Sequence, residues 1–206
     1  MQFYTNANII QDFKNYIQHL LTHVNSYTGL TYAQDPTIIG YETGNELGGL
    51  VFGDKDVPVE WTREICQFIK QLGPQKLCID GTYGVNTTHF TVAEVDIFSD
   101  HFYPLNTTKL ESDIAEVEST NRVYLAGEID WTGLNGGTTL QGSSLAEFYD
   151  VILSRQNMTE PVVAGSLFWS LFEHNVPDCE VCFALSRHSR LVKHSDFELI
   201  WKYRYM

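Results

Sequence analysis

Two hydrophobic periods alternate along this chain, and few folds accommodate both. Five short apolar runs have strand length and composition: residues 37–41, KLCID (76–80), VDIFS (95–99), RVYLAG (122–127) and VVAGSLFW (162–169). Between them, apolar residues recur every three or four positions. Ile9, Ile10, Phe13, Ile17, Leu20, Leu21 and Val24 predict a helix over 8–24. WTREICQFIKQL predicts a second over 61–72, ended by Gly73-Pro74. Residues 109–119 and 143–156 read as further helices, and so does the terminal SDFELIWKYRYM. Apolar strands separated by helices form a parallel sheet with helical crossovers. At 206 residues one α/β domain, 1–206, is the expectation.

The remaining architectural choice is between an open doubly wound sheet and a closed (β/α)8 TIM-barrel type. An open sheet gathers its ligand groups at one switch point, with a phosphate-binding glycine loop after the first strand. Neither GxGxxG nor GxxxxGK[ST] occurs here. Instead, residues capable of chemistry fall where four different strands end: Glu46, His101 with Tyr103, Glu128, and Trp169. Barrels collect functional residues in that manner. Five strands do not close an eight-stranded barrel. The expectation is therefore an incomplete one, the later part of a longer domain.

Charge narrows the partners. The net charge is −13, which repels nucleic acid and anionic membranes, and no run approaches the length of a membrane span. Twelve Phe, eleven Tyr and four Trp suit either an ordinary core or a cleft in which rings stack on sugars. The N-terminal MQFYTNANIIQDFKNY lacks the pattern of a signal peptide, whereas sequons at Asn86, Asn106 and Asn157 lean toward secretion. Four cysteines allow three pairings, and Cys179 with Cys182 form a lone CxxC that favours a local disulfide or free thiols over metal.

GYETGNELGG (40–49) carries two glutamates, Glu42 and Glu46. Hydrolysis of a glycosidic bond generally needs two carboxyl groups facing one cleft. Glu128, closing RVYLAG, is the natural partner for Glu46; Asp80 and Asp100 also close strands and are rivals by position. Asn45 places an amide beside Glu46, and Trp131 lies near Glu128 as core or cleft wall. A metal site at Glu42 and Glu46 is the less favoured reading. His101 as a hydrogen-bonded core histidine, Tyr103 as a packing residue and Trp169 as barrel core remain open.

Taken in order, DPTIIGYETGNE, SDHFYP, YLAGEIDW and GSLFWSL resemble glycoside hydrolase family 5, and more narrowly its fungal endo-β-1,4-mannanase-like members. The resemblance extends from about Phe3 to Trp169. It implies the fourth to eighth strands of the family's barrel, with the first three strands and their Arg and His lying outside this chain. It implies Glu46 as general acid/base, with Asn45 on the sugar 2-hydroxyl, and Glu128 as nucleophile. His101 and Tyr103 would line the −1 subsite, and Trp169 would be a sugar-stacking platform. Two catalytic glutamates, no cofactor and no metal would cleave a mannan-type polysaccharide with retention. A β-glucanase of the same family and an inactive fragment are the alternatives. NEL replaces the family's frequent NEP.

Overall fold

The computed structural model describes residues 2–48, 57–130 and 142–169. Within them the order is α1 (Ala7–Thr22), β1 (Gly40–Glu42), α2 (Val59–Leu72), β2 (Leu77–Asp80), β3 (Ile97–Phe102), α3 (Thr107–Glu118), β4 (Val123–Ile129), α4 (Leu145–Gln156) and β5 (Val163–Phe168). Short 3-10 helices occupy Gln2–Tyr4 and Thr87–Thr91. Trp131, Cys179, Cys182 and the terminal helix expected from the sequence lie outside the described residues.

All five strands pair in parallel, and their spatial order is their chain order, β1-β2-β3-β4-β5. A doubly wound sheet must reverse its order at a switch point. This sheet never reverses, so it is wound in one sense as a barrel wall is. Among the described residues β1 and β5 each pair on one side only, which leaves the wall incomplete.

The core lies between sheet and helices. Phe98, Phe102, Tyr124, Ile65, Ile69, Leu110, Ile114 and Phe148 are all buried there. Phe102 of β3 meets Phe148 of α4 edge to face at 4.9 Å. Cys66 of α2 is bonded to Cys78 of β2, one of the pairings the four cysteines allow. Helix starts are chemically specified. Asn6 and Asn106 cap α1 and α3 with their side-chain oxygens, and Ser144 with Glu147 forms a reciprocal capping box on α4.

Helix ends shift by one or two residues from the sequence expectation, and three strand boundaries differ for local reasons. The first strand begins at Gly40, not at 37, because Thr37 donates from its backbone N and Oγ1 to Asp35 Oδ1 and forms a turn. Lys76 holds that turn through the carbonyls of Asp35 and Ile38. β3 continues through Asp100 and His101 to Phe102, and β4 through Glu128 to Ile129. Both extensions carry polar residues, which an apolar-run criterion truncates.

Candidate active site

Four strand ends supply the site. After β1 the chain turns sharply: Thr43 N donates to Ile79 O, Gly81 N donates to Thr43 Oγ1 at 3.0 Å, and Leu47 N donates to Gly81 O at 2.9 Å. This lacing holds the β1 and β2 loops together and leaves room for glycine alone. A Cβ on Gly81 would stand 1.9 Å from the Gly44 carbonyl oxygen. Glu46 sits inside the laced segment with φ 51°, a left-handed backbone uncommon for a glutamate.

Glu128 is aimed by a bulge. Tyr124 and Ala126 are fully buried on the helix side of β4, and strict alternation would send Glu128 the same way. Between β3 and β4 the register runs Asp100↔Ala126 and then His101↔Glu128, so Gly127 and Glu128 together oppose one residue. The extra residue turns Glu128 onto the inner face, and Ile129 returns to the core. A Cβ on Gly127 would approach Ser99 Oγ to 2.2 Å and His101 Nε2 to 3.3 Å, so the bulge requires glycine.

Four predicted residues come into contact here. His101 Nδ1 donates to Glu46 Oε1 at 2.8 Å and lies 3.8 Å from Glu128 Oε2. Tyr103 O–H donates to Glu128 Oε2 at 2.8 Å. One oxygen from each carboxylate and the His101 nitrogen all lie within 4.8 Å of one another. Burial first, and then the bond to Glu128, raise the Tyr103 hydroxyl above its ordinary pKa, so it remains a donor. Trp169 follows β5 and is 59% exposed, its backbone N–H donating to Ile129 O one residue beyond Glu128. Asn45 is exposed beside Glu46. Tyr103 and Trp169 are thus surface-lining residues, not core, while His101 is a nearly buried ring hydrogen-bonded to a carboxylate.

The positional rivals are engaged elsewhere. Asp80 is buried with Oδ2 2.8 Å from His89 Nδ1, and His89 Nε2 faces the Val57 carbonyl at 2.9 Å. Asp100 is buried against Lys109 of α3 and accepts from the His101 backbone N–H. Glu42 stands on the open side of β1. Its surface is exposed, yet the protein around it raises its pKa to about 7. Desolvation is the main cause; His101 opposes the shift, and Glu128 and Asp80 add to it.

Glu46, His101 and Glu128 also offer two carboxylate oxygens and an imidazole nitrogen, three atoms that could hold a divalent ion. His101 Nδ1 already lies within hydrogen-bond distance of Glu46 Oε1 at 2.8 Å, a contact that a metal ion on Nδ1 would have to replace. The residues sequence reasoning missed are Gly127, Gly81 and Thr43, which shape the bulge and the laced loops that carry the two carboxylates. The GE dipeptide at a strand end was a visible signal for the bulge.

Residues 1–136 match the family model described as GH family 5 beta-mannosidase-like. The chain is 31% identical over 94 residues to mannan endo-1,4-beta-mannosidase 1 of Arabidopsis thaliana, covering 44% of this chain and 23% of that protein. It is 23% identical over 207 residues to mannan endo-1,4-beta-mannosidase 1 of Solanum lycopersicum, covering 85% and 52%. Among solved structures, it is similar to the Thermotoga petrophila RKU-1 endo-1,4-beta-D-mannanase, with TM-score 0.66, 21% identity and coverage of 86% and 58%. The Rhizomucor miehei endo-1,4-beta-mannanase gives TM-score 0.62 at 22% identity, covering 82% and 55%. The chain spans about a quarter of the Arabidopsis relative and about half of the tomato one. The structural likeness shows the barrel fold.

Proposed function

The chain belongs to the β-mannosidase-like branch of glycoside hydrolase family 5, and from that premise we propose that it is the C-terminal part of a retaining endo-β-1,4-mannanase. Glu128 attacks the anomeric carbon, and Glu46 protonates the departing glycosidic oxygen. Water then enters with Glu46 as base and releases the sugar from Glu128. His101 orients Glu46 through its N–H, and Tyr103 holds the attacking carboxylate from the other side. Asn45 bonds the sugar 2-hydroxyl and Trp169 stacks beneath the ring. Closing the five-stranded wall into an eight-stranded barrel would take three further βα units.

One observation carries this reading: an oxygen of Glu46 and an oxygen of Glu128 lie within 4.8 Å. Retention needs carboxyl groups about 5–5.5 Å apart, whereas inversion needs about 6.5–9.5 Å to admit a water. The names of the similar proteins support mannan as the polymer cleaved. Secretion is supported by the Cys66–Cys78 disulfide together with the three sequons. Among the described residues no helix is long and apolar enough to cross a membrane.

The test is hydrolysis of β-mannan and β-glucan by the chain alone and by an upstream-extended form, with Glu128→Ala as control. Proton NMR reads the anomer released first. Mannan-selective cleavage giving the β-anomer, lost in Glu128→Ala, is the expected result. Release of sugar that survives the substitution overturns the nucleophile assignment.

A further inference from the structure

The helix-facing row of β3 reads Phe98, Asp100, Phe102, so one carboxylate interrupts a buried apolar face. Asp100 is 3% exposed, and burying an unpaired carboxylate is costly. Two contacts engage it. Lys109, in the first turn of α3, brings its ammonium against Oδ2, and the His101 backbone N–H donates to Oδ1 at 2.7 Å. Lys109 is itself held in place. The Asn106 side chain accepts from its backbone N–H at 2.9 Å, its ammonium lies 4.9 Å over the Phe102 ring, and Asp113 Oδ2 stands at 3.3 Å.

The bond to His101 falls where pairing between β3 and β4 slips by one residue, between Asp100 and His101. Asp100 therefore clamps the backbone beside the bulge that turns Glu128 inward, and the clamped residue carries the ring bonded to Glu46. An ionised carboxylate holds an N–H more strongly than a neutral acceptor does, and burial disfavours that form unless a cation compensates. We propose that Asp100 and Lys109 are positioning residues for the reaction: as a pair, they fix the His101 backbone and with it the aim of both glutamates. They act from the helix side of the sheet, behind the face that meets substrate. The proposal rests on the reading of Glu46 and Glu128 as the catalytic pair. It gives a task to a carboxylate that, by position alone, rivals Glu128.

The test measures kcat and KM on β-mannan in the chain or its upstream-extended form, whichever hydrolyses it. Lys109→Met leaves a buried carboxylate without its cation. Asp100→Ala removes the acceptor and releases Lys109, whose side chain is 43% exposed, to water. Each should lower kcat about tenfold while KM changes by less than about twofold. Asp100→Asn combined with Lys109→Met keeps an acceptor oxygen for the His101 N–H and removes both charges. That double variant should recover kcat to within about threefold of the parent. Circular dichroism establishes that the variants compared are folded. A folded Asp100→Ala with parental kcat overturns the proposal while the catalytic pair stands, and so does a double variant no better than Asp100→Ala. If Glu128→Ala cleaves mannan as fast as the parent, or neither form cleaves it, the catalytic reading and the proposal fall together.

Discussion

Tyr103 and Glu128 are joined across neighbouring strands by a 2.8 Å hydrogen bond from the phenol to Oε2. The phenol stands just beyond β3, and the carboxylate is turned to meet it by the bulge in β4. The bond holds Oε2 of Glu128 from the Tyr103 side. Tyr103→Phe keeps the ring and removes that donor. We expect kcat on mannan to fall about 100-fold, with the melting temperature nearly unchanged because the side chain is 41% exposed. Equal kcat in Tyr103→Phe and parent would show that the phenol does not orient the nucleophile.

Gly127→Ala tests the bulge itself. The new methyl must displace Ser99 Oγ and crowd His101, which bonds Glu46. A loss of about 1–3 kcal/mol of stability is expected from overpacking. A larger effect is expected on activity, since both carboxylates shift at once. Urea unfolding and mannan hydrolysis measured on the same preparation separate the two consequences.

These two residues also mark what the sequence made legible. The alternation of apolar runs and helical periods predicted five parallel strands in chain order, and the structure has them. Glu46, His101, Tyr103 and Glu128 were named from motif order, and the fold brings them within reach of one another. What stayed hidden was aim. Period-two reasoning sends Glu128 to the core side of β4, and only pairing with β3 reveals the extra residue that reverses it. The rivalry of Asp80 was likewise undecidable, because its partner His89 is supplied by a 3-10 turn with weak hydrophobic patterning.

Glu42 makes stability depend on pH. Its folded pKa is raised to about 7 from an ordinary 4.5, so the folded state binds the proton more tightly than the unfolded chain. The associated stability is complete below about pH 4.5 and is lost as pH rises through about 7. Glu42→Gln should therefore flatten the decline in melting temperature between pH 5 and pH 8. A parallel decline in parent and variant would assign the pH dependence to another group.

The Cys66–Cys78 bond closes a loop with a sequence separation of 12 residues and ties α2 to β2. Its removal by Cys66→Ser with Cys78→Ser should cost about 3 kcal/mol, read as a lower urea midpoint. Dithiothreitol should lower the parent toward the double variant and leave the variant's midpoint unmoved.

Expression through a secretory pathway distinguishes the three sequons. Asn106 and Asn157 are exposed, and capping by Asn106 uses its oxygen, leaving the amide nitrogen free for a glycan. Asn86 is half-buried, with its amide nitrogen 3.4 Å from His89 Nε2. Mass spectrometry of tryptic peptides should find glycan at Asn106 and Asn157 and bare Asn86. Full occupancy at Asn86 would contradict this ordering.

With Glu46 as the proposed acid, its left-handed backbone would set chemistry and folding against each other at a single residue. An L-residue with a Cβ costs about 1–2 kcal/mol in that conformation, and glycine does not. Directed evolution for heat tolerance alone would therefore drift toward glycine at position 46, accumulating sturdier proteins that no longer cut. A thermostability campaign on this scaffold has to hold that codon fixed and look for its gains elsewhere.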